Sequence, residues 1–210
     1  MKYRAILFDF DGVIGKTMED NYQAWSKAFG DYNISLGREE YFLLEGMNIK
    51  TVAKTILEKR KMNPAFTATI SELKEKYYLN NNSFNFYPGV ENLINSLSGR
   101  FKLGLVSGAN LDRLKKTVPP IFLDKFEVII TGDKVRNPKP HPEPYLFAAE
   151  MLSVPPEGCM VVENAPLGIE SAKSAGMNCV AICSTLDRKH LIRADFIVEE
   201  FVLLESFFKI

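Results

Sequence analysis

Ile6-Leu7-Phe8-Asp9-Phe10-Asp11-Gly12-Val13 starts as an apolar run and then carries two carboxylates two residues apart. A carboxylate withdrawn from water is costly unless a base or a metal compensates it. An acid at the carboxyl end of a buried strand, followed by a second acid and a glycine, is therefore a candidate nucleophile and metal ligand. On their own, the same residues also fit a loop of solvated aspartates.

Working outward, continuous apolar runs recur at 102–106, 126–130, 160–162 and 179–183, with a sixth at 196–198. With residues 3–8 they read as strands covered on both faces, because alternation with polar residues is missing. Helical stretches separate them at about 110–118, 144–152 and 166–175. The last has Pro166 at its start and Gly176 just past its end, as helix termini favour. Strand alternating with helix predicts an α/β fold, a Rossmann-like doubly wound parallel sheet.

One segment breaks the rhythm. From Gly15 to Asn85 there is helical periodicity and no strand signal. The stripes are Tyr22, Trp25, Phe29; then Val52, Ile56, Leu57; then Ile70, Leu73, Tyr77. Such a length exceeds a single crossover. It predicts an α-helical cap, residues 15–85, inserted into a core of residues 1–14 and 86–210, over the strand ends where open α/β sheets bind ligands.

Composition narrows the function. With 26 basic and 26 acidic residues the net charge is zero, which argues against nucleic acid and membrane surfaces as partners. Before Asp9 stand only four consecutive apolar residues, too few for a signal-peptide core, so a cytoplasmic protein is expected. Nothing in the neutral surface calls for an obligate partner, and a monomer is expected. Cys159, Cys179 and Cys183 form no CxxC pair; Cys179 and Cys183 lie in an apolar run and read as buried structural thiols. With only His141 and His190 in the chain, a histidine metal site is not expected.

Three further points share the address of Asp9 and Asp11, at or beyond a strand end. Ser107-Gly108 offers a hydroxyl and free N–H groups at a helix start, an anion site or an ordinary cap. Lys139 stands among prolines 138, 140, 142 and 144, which predict an extended, stiff loop able to aim a lysine. Glu163-Asn164 closes an apolar strand with oxygen ligands suited to Mg²⁺, or caps the next helix.

These four points, in this order, resemble the motifs of the haloacid dehalogenase superfamily. The stretch Val162-Glu163-Asn164-Ala165-Pro166-Leu167-Gly168-Ile169-Glu170-Ser171-Ala172, with Ala175-Gly176-Met177, resembles its β-phosphoglucomutase-like and phosphoglycolate-phosphatase-like branch, whose helical cap follows the first motif. The resemblance implies Asp9 as nucleophile, Asp11 as acid and base, and Ser107, Gly108 and Lys139 on the phosphoryl group. It also implies Mg²⁺ held by Asp9, Asp11, Glu163 and Asn164. The second acid, Asp11, argues against dehalogenase chemistry. Mutases of this branch carry a cap histidine, matched here by Asn21, and a cap arginine whose position holds Ile49, with Lys50 one step along. The expected substrate is thus a small phosphorylated metabolite, a sugar phosphate or phosphoglycolate-like acid, bound in part by Asn21 and Lys50 and hydrolysed. A phosphohexomutase, or a binding protein with a weakened metal site, are the alternatives. Asn164 stands where the branch commonly has an aspartate, which predicts weaker Mg²⁺ binding with Glu163 taking more of the load.

Overall fold

The computed structural model describes residues 3–208. Six strands form one parallel sheet: β1 (Ala5–Phe8), β2 (Lys102–Val106), β3 (Val128–Ile130), β4 (Cys159–Glu163), β5 (Asn178–Ile182) and β6 (Phe196–Val198). Their order is β3-β2-β1-β4-β5-β6. The chain therefore winds outward from β1 to β3, then crosses back to begin again at β4. That reversal leaves a crevice beyond the carboxyl ends of β1 and β4, whose residues Phe8 and Val162 are paired in register.

Successive residues of β1 point to opposite faces, and both faces are covered. Ile6 and Phe8 join a core formed with α5 (Val90–Leu97), α6 (Leu111–Thr117), α7 (Pro120–Leu123) and α10 (Val202–Phe207). Ala5 and Leu7 join a second core beneath α8 (Glu143–Met151) and α9 (Pro166–Ser174). Cys179 is buried in this second core, as expected, whereas Cys183 at the end of β5 is only half-buried.

Between β1 and β2 the chain forms α1 (Met18–Gly30), α2 (Arg38–Phe42), α3 (Ile49–Lys59) and α4 (Thr67–Asn81). These helices bury a third core, around Trp25, Phe29, Ile56, Leu57 and Ile70, which also takes in Leu186 from beyond β5. The two crossings into and out of this layer lie side by side, with the Lys16 N–H donating to the Asn85 carbonyl at 2.8 Å. The stripe expected on α4 is shifted by one position. Its buried residues are Ile70, Ser71, Lys74 and Tyr78, so a lysine occupies the middle of an inward face, while Leu73 and Tyr77 are half-buried.

Glu40 ties α2 to the end of α3. It accepts from Arg60 at 2.8 and 3.0 Å and pairs with Lys59 at 2.6 Å. The Arg60 hydrogen bonds hold its carboxyl low, at about 2 against an ordinary 4.5. A depressed carboxylate contributes stability above its unfolded pKa and loses it as pH falls through the folded one. Glu40→Gln should therefore cost about 1 kcal/mol at pH 7, allowing for partial solvent screening. In urea titrations the gap from wild type should close between about pH 4.5 and 2; a gap constant down to pH 2 would contradict this.

Candidate active site

Asp9 is the first residue beyond β1, fixed by its N–H donating to the Val162 carbonyl at 3.0 Å. The Lys139 ammonium donates to Asp9 Oδ1 at 2.6 Å, to Glu163 Oε1 at 2.7 Å and to the Val106 carbonyl at 3.2 Å. One lysine thus gathers the ends of β1, β2 and β4. It is 2 % exposed, and Asp9 and Glu163 are 3 % and 1 % exposed, so water screens none of these charges. Burial opposes the charge on Lys139, but the two carboxylates outweigh it and raise its pKa. Burial raises the Asp9 carboxyl, against the pull of Lys139 and with the help of Glu163.

The loop carrying Lys139 is not extended. Its prolines build a turn closed by the His141 N–H on the Pro138 carbonyl at 3.0 Å, and Pro142 and Pro144 start α8. The aim expected of the lysine comes from the turn and from its two carboxylate partners. His141 is occupied locally, its Nδ1 accepting the Glu143 N–H at 3.1 Å.

Glu163 was expected to share in metal binding, and the structure gives it other work. Its Oε1 accepts Lys139 and the Tyr145 hydroxyl (2.8 Å). Its Oε2 accepts the Asn164 and Ala165 N–H groups at 2.9 and 3.2 Å. Four donors fill the four lone-pair directions of a carboxylate. A Cβ at Gly168 would strike this carboxylate, so the glycine is required for α9 to pass so close. Glu163 holds the lysine and the turn into α9.

Asp11 faces the helical layer. Its Oδ1 accepts Thr17 Oγ1 at 2.6 Å and Asn21 Nδ2 at 2.9 Å, and its Oδ2 accepts Arg113 Nη2 at 2.6 Å. Asn21 Oδ1 in turn accepts Arg113 Nη1 at 2.6 Å and Lys74 Nζ at 2.7 Å. Both cations lie over the Tyr78 ring, 4.9 Å from its centroid. Asn21 therefore belongs to the site, as expected. Arg113 and Lys74 went unread: a base within a short helix of mixed charge gives no signal, but Lys74, four residues after Ile70 and four before Tyr78, was recognisable as a lysine on an apolar stripe.

Lys50 does not reach this site. It is exposed at the start of α3, whereas Ile49, about 100° round the helix, lines the cavity between the layers. Ser107 is buried at the end of β2, but it does not cap α6. Its Oγ accepts the Ala109 N–H at 3.1 Å, and Asn110 caps the helix through the Arg113 N–H at 2.7 Å. Gly108 lies where a Cβ would come 2.7 Å from the Met47 carbonyl, so the helical layer rests directly on this turn. The cavity between the layers measures about 30 Å³, room for about two waters.

Two buried side-chain oxygens just beyond β1 and β4 lack any partner, Asp9 Oδ2 and Asn164 Oδ1. Asn164 is fully buried, its Nδ2 donating to Thr185 Oγ1 at 2.9 Å, which turns its oxygen away from that hydroxyl. Orphaned oxygens on adjacent strand ends, one of them anionic, are what a hard divalent cation requires. The residues present fit such an ion, with Glu163 excluded from its ligands.

A parallel sheet reversing at β1/β4, with an acid after β1, a lysine bridging two carboxylates and a second acid facing a helical layer, is an arrangement suited to handling a phosphoryl group. The chain belongs to the haloacid dehalogenase-like hydrolase family, whose sequence model matches residues 6–182. It is 28% identical over 197 residues to the phosphorylated carbohydrates phosphatase of Thermotoga maritima, covering 90% of each chain. It is also 28% identical over 191 residues to the β-phosphoglucomutase of Bacillus subtilis, covering 85% of this chain and 83% of that one. Among solved structures, CbbY from Rhodobacter sphaeroides in complex with phosphate superimposes with a TM-score of 0.82 at 27% identity, covering 96% of each chain. The protein is thus an enzyme of the class acting on phosphate monoesters. Among the described residues no helix is long and apolar enough to cross a membrane.

Proposed function

We propose that this protein is a magnesium-dependent phosphatase of a small phosphorylated metabolite, a sugar phosphate or phosphoglycolate-like acid, acting as a cytoplasmic monomer with no nucleic-acid partner. The observation that carries the reading is Lys139 held between Asp9 and Glu163, which aims a buried cation at the nucleophile. Asp9 attacks phosphorus, forming an aspartyl-phosphate as the bond to the leaving oxygen breaks. Lys139 and the Ser107 hydroxyl hold the phosphoryl oxygens, and placement with charge compensation is most of what this transfer needs. Asp11 gives a proton to the leaving alcohol and takes one from the water that then releases phosphate. All three of its present hydrogen bonds come from this chain, so proton transfer requires one of them to be exchanged for substrate.

Asp9 Oδ2 and Asn164 Oδ1 would hold the magnesium ion, which when bound offsets the repulsion between nucleophile and phosphate. Residues 15–85 act as a cap that opens to admit substrate, since a cavity of about 30 Å³ cannot contain a sugar phosphate. Hydrolysis is favoured over mutase chemistry because Ile49 lines the cavity where the mutases carry an arginine, Lys50 is exposed outside it, and the two bases that do line it, Arg113 and Lys74, are already paired with Asp11 and Glu75.

Purified protein should release phosphate from p-nitrophenyl phosphate with Mg²⁺ and not after chelation; turnover indifferent to chelation would refute the metal dependence. With β-glucose 1-phosphate the product should be free phosphate, and accumulation of glucose 6-phosphate would establish the mutase instead. Asn164→Asp supplies the charge the amide lacks and should tighten Mg²⁺ binding about tenfold by titration calorimetry. An unchanged affinity would put Asn164 outside the ligand shell.

A further inference from the structure

Leu43-Leu44-Glu45-Gly46-Met47-Asn48 joins α2 to α3 and sets one acid among apolar and small residues. Gly46 has φ +95°, which favours glycine, and it lets the loop settle on the phosphoryl-binding side chains. A Cβ there would meet the Lys139 stem at 3.0 Å, just as one on Gly108 would meet the Met47 carbonyl. Glu45 lies at this contact, 8 % exposed, lining the cavity, and its Oε2 has no hydrogen-bond partner.

The charges lining the cavity are otherwise balanced. Arg113 is paired with Asp11 at 2.6 Å and Lys74 with Glu75 at 3.1 Å. Among the described residues lining it, each cation already has an acid partner, Arg113 keeping only its Nε–H free, so no unpaired cation is left to neutralise a further anion brought in by a substrate. An unpaired charge enclosed here would be desolvated without return. A hydroxyl, by contrast, supplies the donor that Glu45 Oε2 lacks.

We infer that Glu45 is a specificity-determining residue: it hydrogen-bonds a hydroxyl of the leaving group and leaves no room for a second anion, so the substrate is the monophosphate of a neutral polyol, such as a sugar. Bisphosphates and phosphoglycolate-like acids are disfavoured. Burial first, and then the nearby Asp11 and Asp9, hold the Glu45 carboxyl well above the usual range. In its neutral form the carboxyl both donates and accepts, matching a hydroxyl reciprocally. The adjoining Tyr41 phenol is likewise pushed up by burial and by Glu45, so it too stays a neutral donor.

The inference rests on the phosphatase reading, and the test separates the two. Wild type, Glu45→Gln, Glu45→Ala and Glu45→Lys are compared by kcat/KM on glucose 6-phosphate, fructose 1,6-bisphosphate and phosphoglycolate, with p-nitrophenyl phosphate as reference. Wild type should prefer the neutral monophosphate over phosphoglycolate by about 100-fold or more, because discrimination grows when a buried polar group would be left unpaired. Glu45→Gln, which keeps a donor and an acceptor, should hold that order. Glu45→Lys should shift the ratio at least about tenfold toward the anionic substrates. If the lysine variant does not fold, Glu45→Ala still decides, since it should lower the same ratio about tenfold through KM for the neutral substrate. Wild-type turnover of p-nitrophenyl phosphate with phosphoglycolate or the bisphosphate preferred, or a ratio unmoved in these variants, would overturn the role of Glu45. No turnover of p-nitrophenyl phosphate at all would overturn the phosphatase reading beneath it.

Discussion

Asp9→Asn should lower turnover of any phosphate monoester at least about 10³-fold while leaving the fold intact. An amide is nearly isosteric with the carboxylate but cannot form the acyl-phosphate bond, so the loss falls on the chemical step. The packing should survive because Lys139 keeps its second partner, Glu163, at 2.7 Å. The substitution also removes a buried carboxyl oxygen without a partner, Asp9 Oδ2, in a carboxyl whose pKa burial already raises. The variant should therefore unfold at or above the wild-type urea midpoint. Activity above a tenth of wild type would exclude Asp9 as the nucleophile, and a large loss of stability would show its carboxylate to be structural.

Lys139→Met should do the opposite to the fold. It leaves Asp9 and Glu163 facing each other, 3 % and 1 % exposed, with no cation between them. Breaking a buried ion pair from one side typically costs about 3–5 kcal/mol, because the remaining charge has neither water nor partner. Here two carboxylates share the loss, so both stability and turnover should collapse. Adding Asp9→Asn to Lys139→Met should restore part of the stability, about 1–3 kcal/mol, since it removes one of the stranded charges. Urea denaturation of the four proteins in the cycle measures this. A double variant no more stable than Lys139→Met would mean the pair is not coupled.

The sheet was legible because strands buried on both faces cannot hide their composition. Every apolar run became a strand, and 196–198 became β6 at the edge. The four points of chemistry were legible because charge at a strand end is expensive enough to need a reason. Their assignments were less so. Sequence gives the acid at 163 but not its neighbours, and only the geometry shows Lys139, Tyr145 and two N–H groups filling its lone pairs. Lys50 is expected to bind substrate beside Ile49, yet adjacent residues on a helix diverge by about 100°, and here it is Ile49 that faces the cavity. Glu45 lies in a loop and Arg113 is held by distant partners, so neither leaves a periodic signature.

The boundary between the helical layer and the sheet has a consequence for how easily the two can part. The layer's apolar core takes only Leu186 from the sheet side, and the site's share of the boundary consists of Thr17, Asn21, Lys74, Asp11 and Arg113 joined by hydrogen bonds. Parting two greasy surfaces exposes them to water at a cost proportional to area. Parting a hydrogen-bonded seam instead exchanges each protein partner for a water molecule, and the net difference per bond is small. At the site, separating the two layers is thus cheap in hydration, which suits the proposed role of residues 15–85 as a cap that parts to admit substrate and release product.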